Sequence, residues 1–110
     1  MRQREIWLAD LNPVQGSEQQ GIRPVVVISG NAMNEHLGIC IICPLSKRIR
    51  KYAGCLVLEA DPQNGLKVIS EVITFQIRTI SAERFNTKIG EISRKQLDMI
   101  LAGLNEILTY

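Results

Sequence analysis

The clearest helical periodicity in this 110-residue chain lies near the C-terminus. It begins with Ser93 and Gln96, which match a capping box, where a hydroxyl and an amide satisfy the free N–H groups of a helix start. Apolar residues then recur at spacings of three and four: Leu97, Ile100, Leu101, Leu104, Ile107 and Leu108. The pattern predicts a helix whose apolar side packs on a sheet. Gly103 within it costs up to about 1 kcal/mol relative to alanine, so close packing or tertiary context must offset this glycine.

Turn-forming residues divide the rest of the chain into short β-like segments. Strands are predicted over residues 5–11, 23–29, 38–45, 54–60 and 88–92, with one or two more within residues 66–80. Residues 30–37 are predicted to form a loop or a short helical turn, and residues 81–84 a short helical turn. Many short strands and one terminal helix predict a mainly β fold, a small barrel or curved sheet with the helix across it.

Length and composition favour a single domain over residues 1–110. The chain is 45% apolar and 22% charged, close to the average for globular domains. Its longest apolar run, around residues 39–45, is well short of the roughly 18 residues that a membrane-spanning helix needs. The first residues, MRQREIW, lack the apolar region of a signal peptide, so a cytoplasmic location away from membranes is expected.

The three cysteines and the single histidine do not match a metal site. Cys40 and Cys43 have the CxxC spacing, but on a strand this odd separation places the two side chains on opposite faces. No second CxxC accompanies His36, so a tetrahedral zinc site lacks ligands, and buried, inert thiols are favoured over a redox or metal role. The strand over residues 38–45 is apolar on both faces, hence central or buried at an interface. Self-association is the expected source of extra stability in a domain of this size.

Cations cluster in one segment of a chain whose net charge is only +2. The segment SKRIRKY, residues 46–52, contains four lysines and arginines and no acidic residue. It is either a solvated loop or a phosphate-binding site, because clustered lysine and arginine displace counterions from a nucleic-acid backbone. The chain has no GxxxxGK loop, no HExxH motif and no evident carboxylate cage. An enzyme built on this sequence is therefore expected to work without metal or cofactor.

Two segments couple a hydroxyl or amide with a cation where a loop meets a strand: GSEQQGIRP, residues 16–24, and PLSKR, residues 44–48. Arg23 directly precedes Pro24 at a strand start, so its guanidinium can project from a fixed backbone; the alternative is an ion pair with a surface carboxylate. Ser46 lies at a strand end, where a serine is usually a turn former.

Residues 6–29, IWLADLNPVQGSEQQGIRPVVVIS, resemble the opening of MazF/PemK-type toxins, the ribosome-independent endoribonucleases of toxin–antitoxin pairs. CPLS and QIRTI, residues 43–46 and 76–80, match two further elements of that family. The resemblance implies a small SH3-like or CcdB-like barrel that forms a homodimer, binds RNA across its surface and pairs with a MazE-like antitoxin. The catalytic arginine of the family matches Arg23, and its catalytic threonine matches Ser46. Serine keeps the hydroxyl but loses the β-branch that restricts χ1.

The reaction that the resemblance implies can be derived from the residues. RNA carries its own nucleophile, the 2′-OH, so the enzyme must align the reacting atoms, stabilise charge on the phosphorane-like transition state and move protons. Arg23 can present two N–H donors to phosphate oxygens, and Ser46 can donate one hydrogen bond. The family pattern implies a 2′,3′-cyclic phosphate and a 5′-OH as products, without metal. The sequence does not identify the general base, for which Glu18 is a candidate.

RNA binding is assigned to loop side chains. Hydroxyl and amide groups at Ser17, Gln19 and Gln20 can read base edges, and Glu18, in the same loop, is also assigned to RNA binding. The expected phosphate-binding residues are Lys47, Arg48 and Arg50, and Gln76 corresponds to a position near bound RNA in the family.

Three aromatic residues are candidates for stacking on bases. Core packing is favoured for Trp7 and Phe75, whereas for Tyr52 in the basic segment the two roles are equally supported.

Two other functions fit the same barrel. A CcdB-like toxin would bind DNA gyrase without cutting RNA, and a toxin-derived module without activity would keep only antitoxin binding. The pair Arg23 and Ser46 favours the nuclease, because a gyrase-binding protein needs neither residue.

Overall fold

The computed structural model describes residues 1–12 and 21–110. Within these ranges the chain forms seven strands and two α-helices. The strands are β1 (Glu5–Asp10), β2 (Ile22–Val27), β3 (Ile39–Ser46), β4 (Leu56–Leu58), β5 (Ser70–Val72), β6 (Arg78–Ser81) and β7 (Phe85–Glu91). Helix α1 (Asn31–Leu37) connects β2 to β3, and α2 (Arg94–Thr109) follows β7. Two single 3₁₀ turns, Thr74–Gln76 and Ala82–Arg84, flank β6.

Strand β3 is the centre of the sheet, and every strand pair is antiparallel. Along one edge β3 pairs with β2, and β2 leads through β1 to β7. Along its other edge, residues 39–42 pair with β6 and residues 45–46 pair with β5, which in turn pairs with β4. The predicted mainly β fold with a terminal helix is confirmed. The strand predicted over residues 38–45 is central, as its apolar character on both faces indicated.

The two faces of β3 contribute to two separate clusters of buried side chains. Cys43 and Leu45 belong to a cluster that also contains Leu97 and Ile100 of α2. Cys40 and Ile42 belong to the other, against which Trp7 packs. The prediction that the two cysteines of the CxxC lie on opposite faces is therefore confirmed. Burial raises the pKa of the Cys43 thiol to about 12, and the nearby Cys55 adds to the shift, so Cys43 stays a neutral thiol.

Because both faces of β3 are covered within one chain, its apolar character does not require a subunit interface. A subunit interface was one of two explanations for the apolar strand over residues 39–45, and the fold accounts for that strand without a second copy. A homodimer must therefore be argued on other grounds. Among the described residues, no helix is long and apolar enough to cross a membrane.

Helix α2 begins at the predicted capping box. The backbone N–H of Gln96 donates to Ser93 Oγ at 3.1 Å, and the backbone N–H of Ser93 donates to Gln96 Oε1 at 2.8 Å. Gly103 is buried, and a methyl group at this position would collide with the carbonyl of Gly54. Close packing thus offsets the low helix propensity of this glycine, as expected.

Most predicted strands are present with shifted ends, and the connection from β2 to β3 is more ordered than expected. Residues 30–37, predicted as a loop or one short turn, contain the seven-residue helix α1. The interval 66–80 contains β5 and most of β6, separated by the 3₁₀ turn Thr74–Gln76. The strand predicted over residues 88–92 begins earlier, at Phe85, because its first residues pair with β1.

Candidate active site

Arg23 and Ser46 come from different strands and line one groove. This groove, called the catalytic groove here because it holds the two residues that the family resemblance predicts to be catalytic, has a volume of about 560 Å³. It lies where the start of β2 and the end of β3 face the segment after residue 64. Lys47 and Arg48 line the same groove, and Lys67 adds a cation from the opposite wall. The remaining lining is mainly apolar, including Leu8, Leu66 and Ile89. A cationic, partly apolar groove of this kind suits a polyanion whose bases also need contact.

The pairing pattern of β2 explains why the Arg23 side chain is accessible. Arg23 and Pro24 pair with Ala9 and Leu8 of β1, but β3 pairs with β2 only from Val25 onward. In the part of the chain that the structure describes, one edge of β2 is therefore unpaired at Pro24, which has no N–H to donate there. Arg23 is exposed, and it forms no ion pair with any carboxylate in residues 1–12 and 21–110. Within that part of the chain, the alternative of a surface ion pair is not observed.

Ser46 is the last residue of β3 and helps to shape the turn that follows. Its Oγ accepts a hydrogen bond from the backbone N–H of Arg48 at 3.1 Å. The same oxygen lies 3.4 Å from the Arg48 carbonyl, a long contact that leaves the hydroxyl proton weakly engaged. Ser46 is thus a turn former, as a serine at a strand end usually is, and its O–H can still donate to a phosphate oxygen.

A second, smaller groove is continuous with the first through Ser46 and Arg48. This side groove has a volume of about 260 Å³, and Arg50, Tyr52, Phe75 and Gln76 line it. The rings of Tyr52 and Phe75 meet edge to face, with centroids 5.1 Å apart and planes at 89°. Phe75 is 50% exposed, so the expectation that it packs in the core is wrong. Trp7, by contrast, packs as expected, against Phe85 and the second core cluster.

A buried carboxylate holds the backbone of the basic segment in place. Glu71 is fully buried in β5, where it lies opposite Ser46 of the neighbouring strand β3. Its Oε1 accepts hydrogen bonds from the backbone N–H groups of Arg50 (2.7 Å) and Lys51 (3.1 Å), and its Oε2 accepts one from Tyr52 (2.9 Å). Lys51 adopts a left-handed conformation with φ of 56°. These bonds orient residues 50–52 towards the side groove, and both carboxylate oxygens are thereby occupied.

The far wall of the catalytic groove rests on a close approach of two backbones. Gly65 has φ of 68°, and a side chain there would collide with the carbonyl of Ile89; a side chain on Gly90 would collide with Asn64. Asn64 closes this turn, accepting at Oδ1 from the backbone N–H groups of Asp61 and Leu66. The turn at DPQNG, residues 61–65, therefore fixes Leu66 and Lys67 beside β7.

The structure brings six of the predicted site residues together. Arg23, Ser46, Lys47 and Arg48 line the catalytic groove, and Arg50 and Gln76 line the side groove. Ser17, Glu18 and Gln19 lie outside the described residues, as does Gln20. Sequence reasoning missed Lys67, whose only signal was its position after a turn, and Glu71, whose signal was an acidic residue in an otherwise apolar stretch.

The sequence profile that describes a PemK-like, MazF-like toxin of type II toxin–antitoxin systems matches residues 2–108. This chain belongs to that family. An endoribonuclease MazF of Staphylococcus saprophyticus is 37% identical over 98 residues, covering 88% of this chain and 82% of its own. Endoribonuclease MazF9 of Mycobacterium tuberculosis is 35% identical over 113 residues, covering 98% of this chain and 92% of its own.

Solved structures of the MazF group share the fold. MazF from Deinococcus radiodurans superimposes with a TM-score of 0.80 at 25% identity, covering 99% of this chain and 96% of its own. A MazE–MazF crystal structure from the same organism gives a TM-score of 0.73 at 26% identity, covering 96% of this chain and 91% of its own. The mainly β fold with its terminal helix is therefore the fold of MazF toxins.

Proposed function

We propose that this protein is the toxin of a type II toxin–antitoxin pair and acts as a metal-independent endoribonuclease on single-stranded mRNA, cutting at specific sequences. Membership of the MazF family and two endoribonuclease relatives above 30% identity support the reaction class. The observation that carries the assignment of residues is the shared groove, in which Arg23 of β2 and Ser46 of β3 face one space with three further cations.

In the proposed reaction the RNA supplies its own nucleophile. The 2′-oxygen forms a bond to phosphorus as the bond from phosphorus to the 5′-oxygen breaks, which leaves a 2′,3′-cyclic phosphate and a 5′-OH. One proton leaves the 2′-OH and another reaches the departing 5′-oxygen. Arg23 donates N–H bonds to the non-bridging oxygens, where charge develops, and Ser46 donates one more.

Neither Arg23 nor Glu71 is suited to accept the proton of the 2′-OH. Arginine does not lose its proton in proteins, so Arg23 does not accept one from the 2′-OH. Glu71 adjoins the groove but has both oxygens occupied by backbone N–H groups. Glu18 stays the candidate base, on the sequence argument alone.

The partners of the protein are part of the proposal. We propose a homodimer in the cytoplasm whose RNA groove is occupied, when the toxin is inhibited, by an acidic segment of a MazE-like antitoxin. A MazE–MazF complex is known for the Deinococcus radiodurans relative. The cations of the grooves here, Arg23, Lys47, Arg48, Arg50 and Lys67, provide a surface of complementary charge.

The test is cleavage of a long single-stranded RNA by the purified protein in EDTA. Discrete fragments ending in a cyclic phosphate are expected from the parent protein. Arg23→Ala should cut at least 10²–10³-fold more slowly, as expected for loss of a preorganised transition-state donor, while keeping its fold. Arg94→Ala, which removes an exposed arginine at the start of α2, is the matched control and should cut normally. Intact RNA with the parent protein would favour a gyrase-binding or inactive antitoxin-binding module instead.

A further inference from the structure

We propose that Tyr52 and Phe75 form a binding site for one RNA base, next to the nucleotide that is cut. This inference rests on the proposed function and adds a subsite to it. The sequence leaves Tyr52 open between stacking and core packing and favours core packing for Phe75. The two rings meet only in the folded chain, because Tyr52 follows β3 while Phe75 follows β5.

The exposure of the pair is the first observation that supports a ligand. The Tyr52 side chain is 45% exposed and that of Phe75 50% exposed, although both are large and apolar. Two perpendicular rings with centroids 5.1 Å apart form a corner, in which a planar base can stack on one ring and meet the other with its edge. The other described aromatic pair, Trp7 and Phe85, has a similar edge-to-face geometry but packs against the core.

The surroundings of the pair select a nucleotide over an apolar ligand. Arg48 and Arg50 line the same side groove, so a base placed at the rings has cations beside it for the attached phosphate. Gln76 also lines the groove and carries an amide, the group that reads base edges. Stacking with adjacent arginine contacts is the usual mode of single-strand binding.

The backbone at Tyr52 is fixed before any ligand binds. Glu71 accepts hydrogen bonds from the backbone N–H of Tyr52 and from the two backbone N–H groups before it. The Tyr52 ring therefore projects from a backbone that is held in place. Phe75 lies in the 3₁₀ turn Thr74–Gln76, where the N–H of Gln76 bonds to the Ile73 carbonyl. A preorganised pair loses little conformational entropy when a base stacks on it.

The position of the side groove places the bound base next to the reacting phosphate. Ser46 and Arg48 line both grooves, and Arg23 lines only the catalytic groove. A strand whose scissile phosphate lies between Arg23 and Ser46 therefore has a neighbouring nucleotide within reach of the rings. The base subsite contributes to substrate affinity and to the choice of cleavage sequence, whereas the reaction itself takes place in the catalytic groove.

The experiment has two stages, beginning with cleavage of a long RNA in EDTA to map the sites that the parent protein cuts. Single-stranded DNA oligonucleotides spanning one mapped site then serve as uncleavable probes, with an abasic position moved along the strand. Stacking of one base predicts a single position where the abasic change weakens parent binding about 5- to 150-fold. The same abasic change should weaken binding by Tyr52→Ala and Phe75→Ala much less, because each variant has already lost one of the two rings that contact the base.

Four further variants serve as controls. Tyr110→Ala removes an aromatic ring that is 98% exposed at the C-terminus and should bind and cut like the parent. Tyr52→Leu and Phe75→Leu keep apolar volume and should retain the melting temperature of the parent while losing the same affinity as the alanine variants. Phe75→Tyr, which keeps an aromatic ring at this position, should bind like the parent.

Two failures can be told apart. If the parent does not cut RNA, the proposed function falls and the base subsite falls with it. If the parent cuts, and the ring variants bind the oligonucleotides and choose sites like Tyr110→Ala, the subsite alone is wrong. A loss confined to self-association, with RNA affinity unchanged, would assign the rings to a protein contact and would equally overturn the inference.

Discussion

Serine and threonine carry the same hydroxyl, and position 46 is where this chain has serine in place of the threonine of the family pattern. We expect Ser46→Thr to keep or raise the rate of cleavage, because the added methyl group restricts χ1 without removing the donor. Ser46→Ala should lower the rate at least tenfold, as expected for loss of one transition-state donor. Rates at saturating RNA measure both effects, and an active Ser46→Ala would contradict the assignment.

The turn after β3 provides a control for that comparison. Ser46→Ala also removes the acceptor of the Arg48 N–H, so part of its effect could come from a displaced basic segment. Affinity for an uncleavable oligonucleotide separates the two causes. A displaced segment weakens binding, whereas a lost transition-state donor leaves binding intact and lowers only the rate.

The Glu71 carboxylate is expected to be essential for the stability of the basic segment. Glu71→Gln keeps the size of the side chain but replaces one carboxylate oxygen with an NH₂ group. A donor would then face a backbone N–H that also donates. We expect the free energy of unfolding to fall by about 2–4 kcal/mol, since buried donors lose their acceptor. Chemical denaturation measures the change. Glu59→Gln, at an exposed carboxylate, is the control and should change stability little.

How far the site can be predicted from sequence depends on whether its residues belong to a contiguous motif. Arg23 and Ser46 were found because each lies in a short element that resembles a known family. Phe75 was assigned to the core because it follows an apolar run, and nothing in that run indicates that the chain turns it outwards. Glu71 bonds to residues 50–52, about 20 positions away, and Lys67 lines a groove together with residues of β2 and β3. Spacing alone does not reveal such proximity.

At the scale of elements, α2 and the residues that follow the basic segment pack together through two glycines, Gly103 and Gly54. Gly103 of α2 lies against the carbonyl of Gly54, which itself accepts a hydrogen bond from Thr74 Oγ1 at 2.9 Å. Gly54 has φ of 81°, a conformation that favours glycine. The helix therefore supports the segment that carries Tyr52 as well as covering the sheet.

Gly103→Ala is expected to destabilise the protein although alanine is the better helix former. The collision with the Gly54 backbone should destabilise the fold by more than the roughly 1 kcal/mol that alanine gains in helix propensity. The free energy of unfolding should therefore fall by about 1–2 kcal/mol. The neighbouring exposed Ala102 gives the opposite test, because there Ala102→Gly should lose about 1 kcal/mol through propensity alone. Thermal denaturation of both variants measures the two effects. A stabilised Gly103→Ala would show that the contact can relax.

Elements with strong local signals were predictable from the sequence, and elements formed by long-range pairing were less so. The capping box located the start of α2, because the bonds it forms span three residues. The boundaries within residues 66–80 depend on β3, which pairs with β5 at one end and β6 at the other. That division of one strand edge has no counterpart in the hydrophobic pattern of either short strand.

At the scale of the whole molecule, association is expected to come from surfaces other than β3. The chain exposes large apolar side chains outside the grooves, including Ile22, Leu37, Met99 and Leu108. We expect light scattering at micromolar concentration to give a mass about twice the 12.3 kDa of one chain. A stable monomer under these conditions would contradict the proposed homodimer.

For RNA binding, where the charges lie is more important than the net charge of +2. Acidic side chains elsewhere nearly balance the total, and Glu35, Glu5 and Asp98 pair with cations away from the grooves. The cations that line the two grooves form no ion pair with a carboxylate in the described ranges, so their field is available to a phosphate backbone.

Different substitutions should therefore change RNA affinity and the rate of cleavage separately. A triple variant with glutamine at positions 47, 48 and 50 in place of Lys47, Arg48 and Arg50 should bind RNA more weakly. Three lost phosphate contacts should reduce the slope of log K against log salt concentration by roughly 2. The rate at saturating RNA should fall much less, because these side chains bind ground state and transition state alike. Replacing Arg2, Arg94 and Lys95 changes the net charge equally at surfaces outside the grooves, and should leave both quantities near those of the parent. If the two triple variants had the same affinity and salt dependence, SKRIRKY would be a solvated loop.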